Sequence, residues 1–278
     1  MKVWHHVIHP ITQHFRRRRG QFLLAHFPAI RQLRICDLGG SRHFWEKLAL
    51  GVPDEHITIY NISTDETQGV NSTGSVGTPV VIYDGKNLPV ADNAFDLLVC
   101  NSVIEHVPVA AREALCKEML RVSRSVFLQT PARSFPVEPH FLLPFVHWLP
   151  RSIGYQLIKL SPWRLLSRPT QAAVFEYWWG TQLLGLEELK ALFPLAQIKS
   201  EGILGITKSY YVLAGERQKI MPHGARSNLP AQHGEAKPLA RGEAQHQNTR
   251  PVRRAGAFST ARAWRFAVGP ASARTLGP

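Results

Sequence analysis

The chain has 278 residues, 44% of them hydrophobic, and a formal net charge of +13. That length and apolar content suit one domain with a sizeable core plus additional segments. The charge is concentrated at the ends: residues 1–19 carry +5 and residues 221–278 carry +7, which leaves +1 for residues 20–220. A near-neutral body argues against a nucleic-acid-binding fold, whose cations line one folded face. No apolar run approaches the ~20 residues of a membrane-spanning helix. Three cysteines with no CxxC pair argue against a disulfide framework or a zinc site. Residues 1–19 have no signal-peptide core, so a reducing cytoplasm is the expected location.

Residues 1–27 are expected to form an N-terminal segment with a basic run. Its helix is amphipathic over 11–27, with Ile11, Phe15, Phe22 and Leu23 as packing residues and 16–19 as a solvated arginine face. A peripheral contact with an anionic membrane surface stays open as a minor reading. Residues 34–37 read as a short buried strand with an acid near its end, followed by Gly39 and Gly40 and a helix-like run over 44–50. Strand, glycine turn and helix form the first unit of a doubly wound sheet, in which glycines let a ligand approach the backbone.

Further strands are expected over 56–62, 79–83, 94–100 and 125–129, with a polar loop over 63–78 and a helix over 108–121 that Pro108 opens well. Residues 133–180 break this rhythm. Six prolines interrupt text rich in Phe, Trp, His and Leu, too apolar for a linker and too broken for one helix; the segment reads as a helical insertion covering the site. A helix over 186–193 and strands over 195–200 and 207–214 close the domain, which spans 28–217. Residues 218–278 lack periodicity and are expected to be a disordered basic tail. The fold class is therefore α/β, a doubly wound, Rossmann-like, mostly parallel sheet with right-handed crossovers. Asp37, Asn61, Asp84 and Asn101 all fall at carboxyl ends of strands, where such sheets bind ligands. Each alone could be a turn former; on successive strands they suggest a ligand rim.

With these residues placed, residues 20–215 resemble the class I S-adenosylmethionine-dependent methyltransferases, specifically the type 11-like branch. The most specific stretch is Asp84-Gly-Lys-Asn-Leu-Pro-Val-Ala-Asp-Asn-Ala-Phe-Asp-Leu-Leu-Val-Cys-Asn-Ser-Val-Ile-Glu-His-Val107. Gln129-Thr-Pro, Phe135-Pro-Val-Glu-Pro-His140 and Pro144-Phe-Val-His-Trp-Leu-Pro150 are similar to a bacterial subfamily that carries this insertion. The resemblance implies a seven-stranded sheet whose last strand is antiparallel. It also implies S-adenosylmethionine as cofactor. Gly39, Gly40 and Ser41 would cradle its methionine part, with Asp37 near the ammonium. Asn61 would take the ribose hydroxyls, Asp84 would face the adenine with Gly85 beside it, and Asn101 and Ser102 would border the sulfonium. Two departures stand out. Of the usual acid-x-Gly-x-Gly-x-Gly loop only Gly39 keeps its place, with Ser41 and His43 at the next two. The ribose acid is replaced by Asn61, which hydrogen-bonds without charge assistance.

Methyl transfer needs its reactants held in line, and a base only where the acceptor holds a proton. His106, with Glu105 before it, follows the fourth strand, where a base could reach an acceptor; capping or packing the next helix is the alternative. Glu138, His140 and His147 read as lid residues lining an acceptor pocket, since nothing fixes them on one face as metal ligands, and no metal is expected. Phe175, Tyr177, Trp178 and Trp179 read as packing. The leading function is a cytoplasmic methyltransferase acting on a small-molecule or lipid-like acceptor. The alternative is a non-catalytic scaffold of the same fold with a degenerate cofactor loop. A nucleic-acid methyltransferase ranks last, because the body lacks the Asn/Asp-Pro-Pro-aromatic motif.

Overall fold

The computed structural model describes residues 2–63 and 78–215. The polar loop expected over 63–78, apart from its two end residues, and the basic tail expected over 218–278 lie outside them. A long first helix, α1 (Lys2–His26), precedes strand β1 (Ile35–Leu38), helix α2 (Arg42–Leu48), strands β2 (Ile57–Asn61), β3 (Val80–Ile82) and β4 (Phe95–Asn101), helix α3 (Val109–Val122) and strand β5 (Ser123–Pro131). An insertion follows, made of the short strands β6 (Val137–Glu138) and β7 (Leu143–Pro144) and helices α4 (Arg151–Ile158), α5 (Pro162–Ser167) and α6 (Gln171–Gly180). Helix α7 (Leu186–Leu192) and strands β8 (Gln197–Ile203) and β9 (Ile206–Gly215) complete the domain. The order in the main sheet is β3-β2-β1-β4-β5-β9-β8. Every pairing from β3 to β5 is parallel, while β9 runs antiparallel to both β5 and β8. This is the seven-stranded sheet with a reversed strand that the sequence leads one to expect.

The central strands are apolar on both faces, as parallel strands covered by helices on each side must be. Side chains alternate between two cores. Ile35, Ile57, Ile59, Leu97 and Val99 pack with Leu23 of α1, Phe27 just beyond it and Trp45 of α2. Cys36, Leu38, Leu98, Cys100 and Leu128 face the other way, toward Leu115 and Met119 of α3 and Leu189 of α7. Phe15 and Leu23 of α1 are buried, as expected. The arginine run is not uniformly solvated: Arg17 and Arg18 are exposed, but Arg19 is buried. The helical period turns Arg19 inward, to the sheet end that holds the buried Glu201, whose carboxylate accepts from Ser209 and Tyr211 at 2.6 Å each.

The insertion is less helical than its sequence suggests, because it opens with the antiparallel pair β6–β7. Glu138 dictates this hairpin: its carboxylate accepts the backbone N–H groups of His140 and Phe141, each at 2.8 Å. Ser161 and Thr170 cap α5 and α6 by accepting from the N–H groups of Arg164 and Ala173. Phe141, Val146, Ile158, Trp163, Val174 and Trp178 give the insertion its own small core. The buried Arg112 of α3 ties the sheet to the chain leaving the insertion: it donates to the Val107 carbonyl at 3.1 Å, to the Gln182 carbonyl at 2.7 Å and to Glu188. Cys36, Cys100 and Cys116 are free and buried. Among the described residues no helix is long and apolar enough to cross a membrane.

Candidate functional site

Two groups of polar residues converge at the carboxyl ends of the parallel strands. The first surrounds the turn after β1. Gly39 adopts φ +67°, and its N–H donates to the Tyr60 carbonyl at 2.8 Å, which ties the turn to β2. A side chain there would meet Val103 at 2.6 Å. Gly40 needs its missing side chain for another reason: a Cβ would overlap the Asp37 carboxylate, which fills that space. Asp37 is fully buried and accepts from Trp45 Nε1 through Oδ2 at 2.8 Å, while its Oδ1 has no partner among the described residues. Burial pushes its carboxyl up to about 7, although the Trp45 hydrogen bond pulls the other way. The first turn of the sheet thus holds a buried carboxyl oxygen that lacks a hydrogen-bond partner among the described residues.

Asn61, closing β2, donates from Nδ2 to the Gly40 carbonyl at 3.3 Å and keeps a buried, unpartnered Oδ1. Asn101, closing β4, likewise has a buried Oδ1 without a partner among the described residues. Ser102 sits at φ +54°, with its N–H and its hydroxyl both given to Gln129, at 2.9 Å each. Asp84 lies at the exposed rim beyond β3. The N–H groups of Asn87 and Lys86, each at 2.8 Å, hold its carboxyl below the usual carboxylate range. Gly85 follows at φ +77°. Ser41 precedes α2 at the N-cap position without a side-chain capping bond.

The second group lies where the insertion packs on the end of β4. Glu105 and His106 form a short 3-10 turn and are both buried. Glu105 accepts from Thr130 Oγ1 through Oε2 at 3.0 Å, and its Oε1 has no hydrogen-bond partner among the described residues. Burial raises its carboxyl, an effect the charge of His140 opposes. His106 Nδ1 lies 3.1 Å from Thr181 Oγ1, and that hydroxyl gives its only hydrogen to the Tyr177 carbonyl at 2.7 Å. Nδ1 must therefore be the protonated nitrogen, which leaves a lone pair on Nε2. Burial, reinforced by the charges of His140 and Arg112, pushes His106 far down, so the ring is neutral. His140 Nδ1 pairs with Glu138 Oε1 at 2.6 Å, and its Nε2 stands 4.0 Å from Glu105 Oε1. Burial alone would lower His140, but Glu138 outweighs it and the shift is upward. Tyr177 stacks on His106 with ring centroids 5.6 Å apart.

The sequence groups His140 with Glu138 and His147 in the lid, and the structure divides them. A cavity of about 360 Å³ under the insertion is lined by Glu138, Phe141, His147, Trp148 and Thr181, among others. His147 Nε2 there lies 3.0 Å from the Arg133 carbonyl, while His140 turns to Glu105 and His106. The cavity does not reach Asp37 or the glycine turn. Trp179 and Phe175 are exposed, whereas Trp178 is packed, so only part of the aromatic group is core. Sequence reasoning missed Trp45, Thr130 and Thr181, and took Tyr177 for packing alone. Thr130 follows Gln129 at a strand end and so shares the position that singled out Asn61 and Asn101; nothing local marks the others.

Residues 38–125 match the family described as "Methyltransferase domain". No curated protein matches the chain. Among solved structures, an S-adenosylmethionine-dependent methyltransferase from Archaeoglobus fulgidus is similar at 14% identity and a TM-score of 0.45, over 72% of this chain and 94% of that one. Magnesium protoporphyrin IX methyltransferase from Synechocystis PCC 6803 is similar at 13% identity and a TM-score of 0.43, over 73% and 82%. Human N-acetylserotonin methyltransferase is similar at 13% identity and a TM-score of 0.40, over 71% and 51%. The match over residues 38–125 and the strand order with its reversed β9 support a class I S-adenosylmethionine-dependent methyltransferase fold.

Proposed function

We propose that this chain moves a methyl group from S-adenosylmethionine to a small-molecule or lipid-like acceptor held beneath the insertion. The observation that carries the reading is the set of three buried oxygens without partners among the described residues, Asp37 Oδ1, Asn61 Oδ1 and Asn101 Oδ1, at the carboxyl ends of β1, β2 and β4. Buried acceptors are costly unless a donor meets them. A ligand with an ammonium and ribose hydroxyls supplies donors of the required kind, so the residues present fit the cofactor. Asp37 would take the ammonium, the backbone of Gly39, Gly40 and Ser41 the methionine part, Asn61 the ribose, and Asp84 and Gly85 the adenine end. Asn101 and Ser102 would stand beside the sulfonium.

The cofactor supplies the reactive methyl; the protein's task is to align the acceptor with it and manage any proton released. His106 and Glu105 are the groups we assign to that proton. The cavity lined by Glu138 and His147, which joins aromatic walls to charged groups and so suits an amphipathic molecule, is where we place the acceptor's body, with its reacting atom extending past Thr181 toward His106. Three buried, unpaired thiols suit a reducing cytoplasm.

The non-catalytic alternative draws on the same turn. The Asp37 carboxylate already has the Trp45 indole, and Ser41 and His43 occupy sequence positions where further glycines would give a ligand room. The test uses methyl-labelled S-adenosylmethionine, a panel of amphipathic hydroxyl, carboxyl and amine compounds, and an Asp37→Ala control. Labelled product dependent on Asp37 supports transfer. A folded protein that neither binds the cofactor nor yields product favours the scaffold.

A further inference from the structure

Glu105, His106 and His140 each offer one ligand atom, and the three atoms lie within 4.8 Å of one another. The hydrogen bonds around them are of the kind that orients a metal ligand. His106 commits Nδ1–H to Thr181, and His140 directs Nδ1 at Glu138, so in the neutral rings Nε2 is the free donor of each. Glu105 is held through Oε2 by Thr130, and Oε1 is the buried atom left over. Metal-binding histidines commonly give their second nitrogen to a carboxylate or other acceptor, which fixes tautomer and ring orientation. Here each of the three candidate ligands has one outer partner on its far side and one unengaged atom on its near side.

We propose that Glu105, His106 and His140 bind a divalent transition ion of the Zn2+ type, with Thr130, Thr181 and Glu138 as the residues that orient them. Two imidazoles and one carboxylate are the donor set of three-ligand zinc sites that keep a fourth position open. Tetrahedral ligands about 2.1 Å from an ion stand about 3.4 Å apart, so the cluster closes by roughly an ångström on loading. The side chains of Glu105 and Glu138 offset the ion's two charges, while the nearby cation, Arg112, is already held by Glu188 and two carbonyls. His140 keeps 12% of its side chain exposed, and Glu138 and Thr181 line the cavity, so the ion has an approach. The sequence conceals this set because the ligands come from two distant segments, 105–106 and 140. An ion there would favour an oxygen-bearing acceptor, polarised at the open position in place of direct proton transfer by His106. Only this last consequence rests on the methyl-transfer reading.

The test is made on the full chain, stripped with a chelator and without cofactor. Zn2+ is titrated by calorimetry, and Co2+ by the visible absorption that reports tetrahedral nitrogen and oxygen ligation. The expected result is one ion per chain with a tetrahedral Co2+ spectrum, abolished by His140→Ala. Glu138→Gln, which leaves all three ligands in place, weakens binding by about 10–100-fold. Circular dichroism of each variant checks that it is folded. A folded wild-type protein that takes up no ion overturns the proposal, as does binding that survives His140→Ala, which would assign the ion to other histidines. A methyltransferase without metal still binds cofactor at the glycine turn, so the two readings fail separately.

Discussion

Replacing Asp37 with asparagine separates stability from function at the glycine turn. The Asp37 carboxyl is raised from its usual 3.8 to about 7 because it is fully buried with one unpartnered oxygen. At 1.36 kcal/mol per unit, the ionised form costs the empty protein about 4 kcal/mol. The folded carboxyl holds its proton up to about pH 7, while the unfolded one releases it near 4. Wild-type stability therefore falls as pH rises between these values and levels off above them. Asp37→Asn removes the charge, keeps an oxygen for Trp45 and places an unpaired amide where Oδ1 was, a penalty of roughly 1–2 kcal/mol. The variant is thus expected to be more stable than wild type by about 2–3 kcal/mol at pH 8, or roughly 5–10 °C in Tm for a domain of this size. The advantage shrinks by about 1.4 kcal/mol per pH unit below about 7 and is near zero at about pH 5. Urea unfolding of both proteins across this pH range, from well above the folded value to well below it, measures the difference. A variant no more stable on the alkaline side, or one whose advantage ignores pH, refutes the reasoning.

Gly40→Ala forces a Cβ into the Asp37 carboxylate, and with that group pinned by Trp45 the cost is about 1–3 kcal/mol, with weaker binding of S-adenosylhomocysteine; an unchanged unfolding midpoint would show that Asp37 is free to move. Arg112→Met leaves the Gln182 and Val107 carbonyls without their donor and Glu188 without its partner, so stability in urea should fall by about 3 kcal/mol, and a loss under about 1 kcal/mol would deny the tie its importance. Arg151 lies between Trp178 and Trp179, 4.9 and 5.0 Å from their ring centres, and donates to the Trp178 and Thr181 carbonyls. Its replacement by Ala should speed proteolytic nicking within 142–170 while the global midpoint moves little, because the insertion has its own core. Equal changes in both readouts would mean that insertion and sheet open as one unit.

The strands were legible because they announce themselves as apolar runs bounded by Asp, Asn and Gly, a local signal; the reversed last strand came from the family resemblance, because local pattern says nothing of which strands are neighbours. Asp37, Asn61 and Asn101 could be picked out for the same reason: strand ends are places in the sequence as well as in the fold. Arg19 misled because a run of four arginines reads as one surface, whereas the helix turns its last member inward. The β6–β7 hairpin was hidden because Glu138 builds it through two backbone N–H groups, a role indistinguishable in sequence from a pocket carboxylate. The Glu105–His106–His140 cluster was out of reach for a further reason. The insertion's path decides which of its histidines returns to β4, and His140 returns while His147 stays at the cavity.

The most direct measurement is a calorimetric titration of the full chain with S-adenosylhomocysteine beside Asp37→Ala, both shown by circular dichroism to be folded. The account predicts micromolar binding by the wild type that the substitution abolishes. No binding by the folded wild type, or the same affinity in both proteins, would contradict the assignment of the cofactor to the turn after β1.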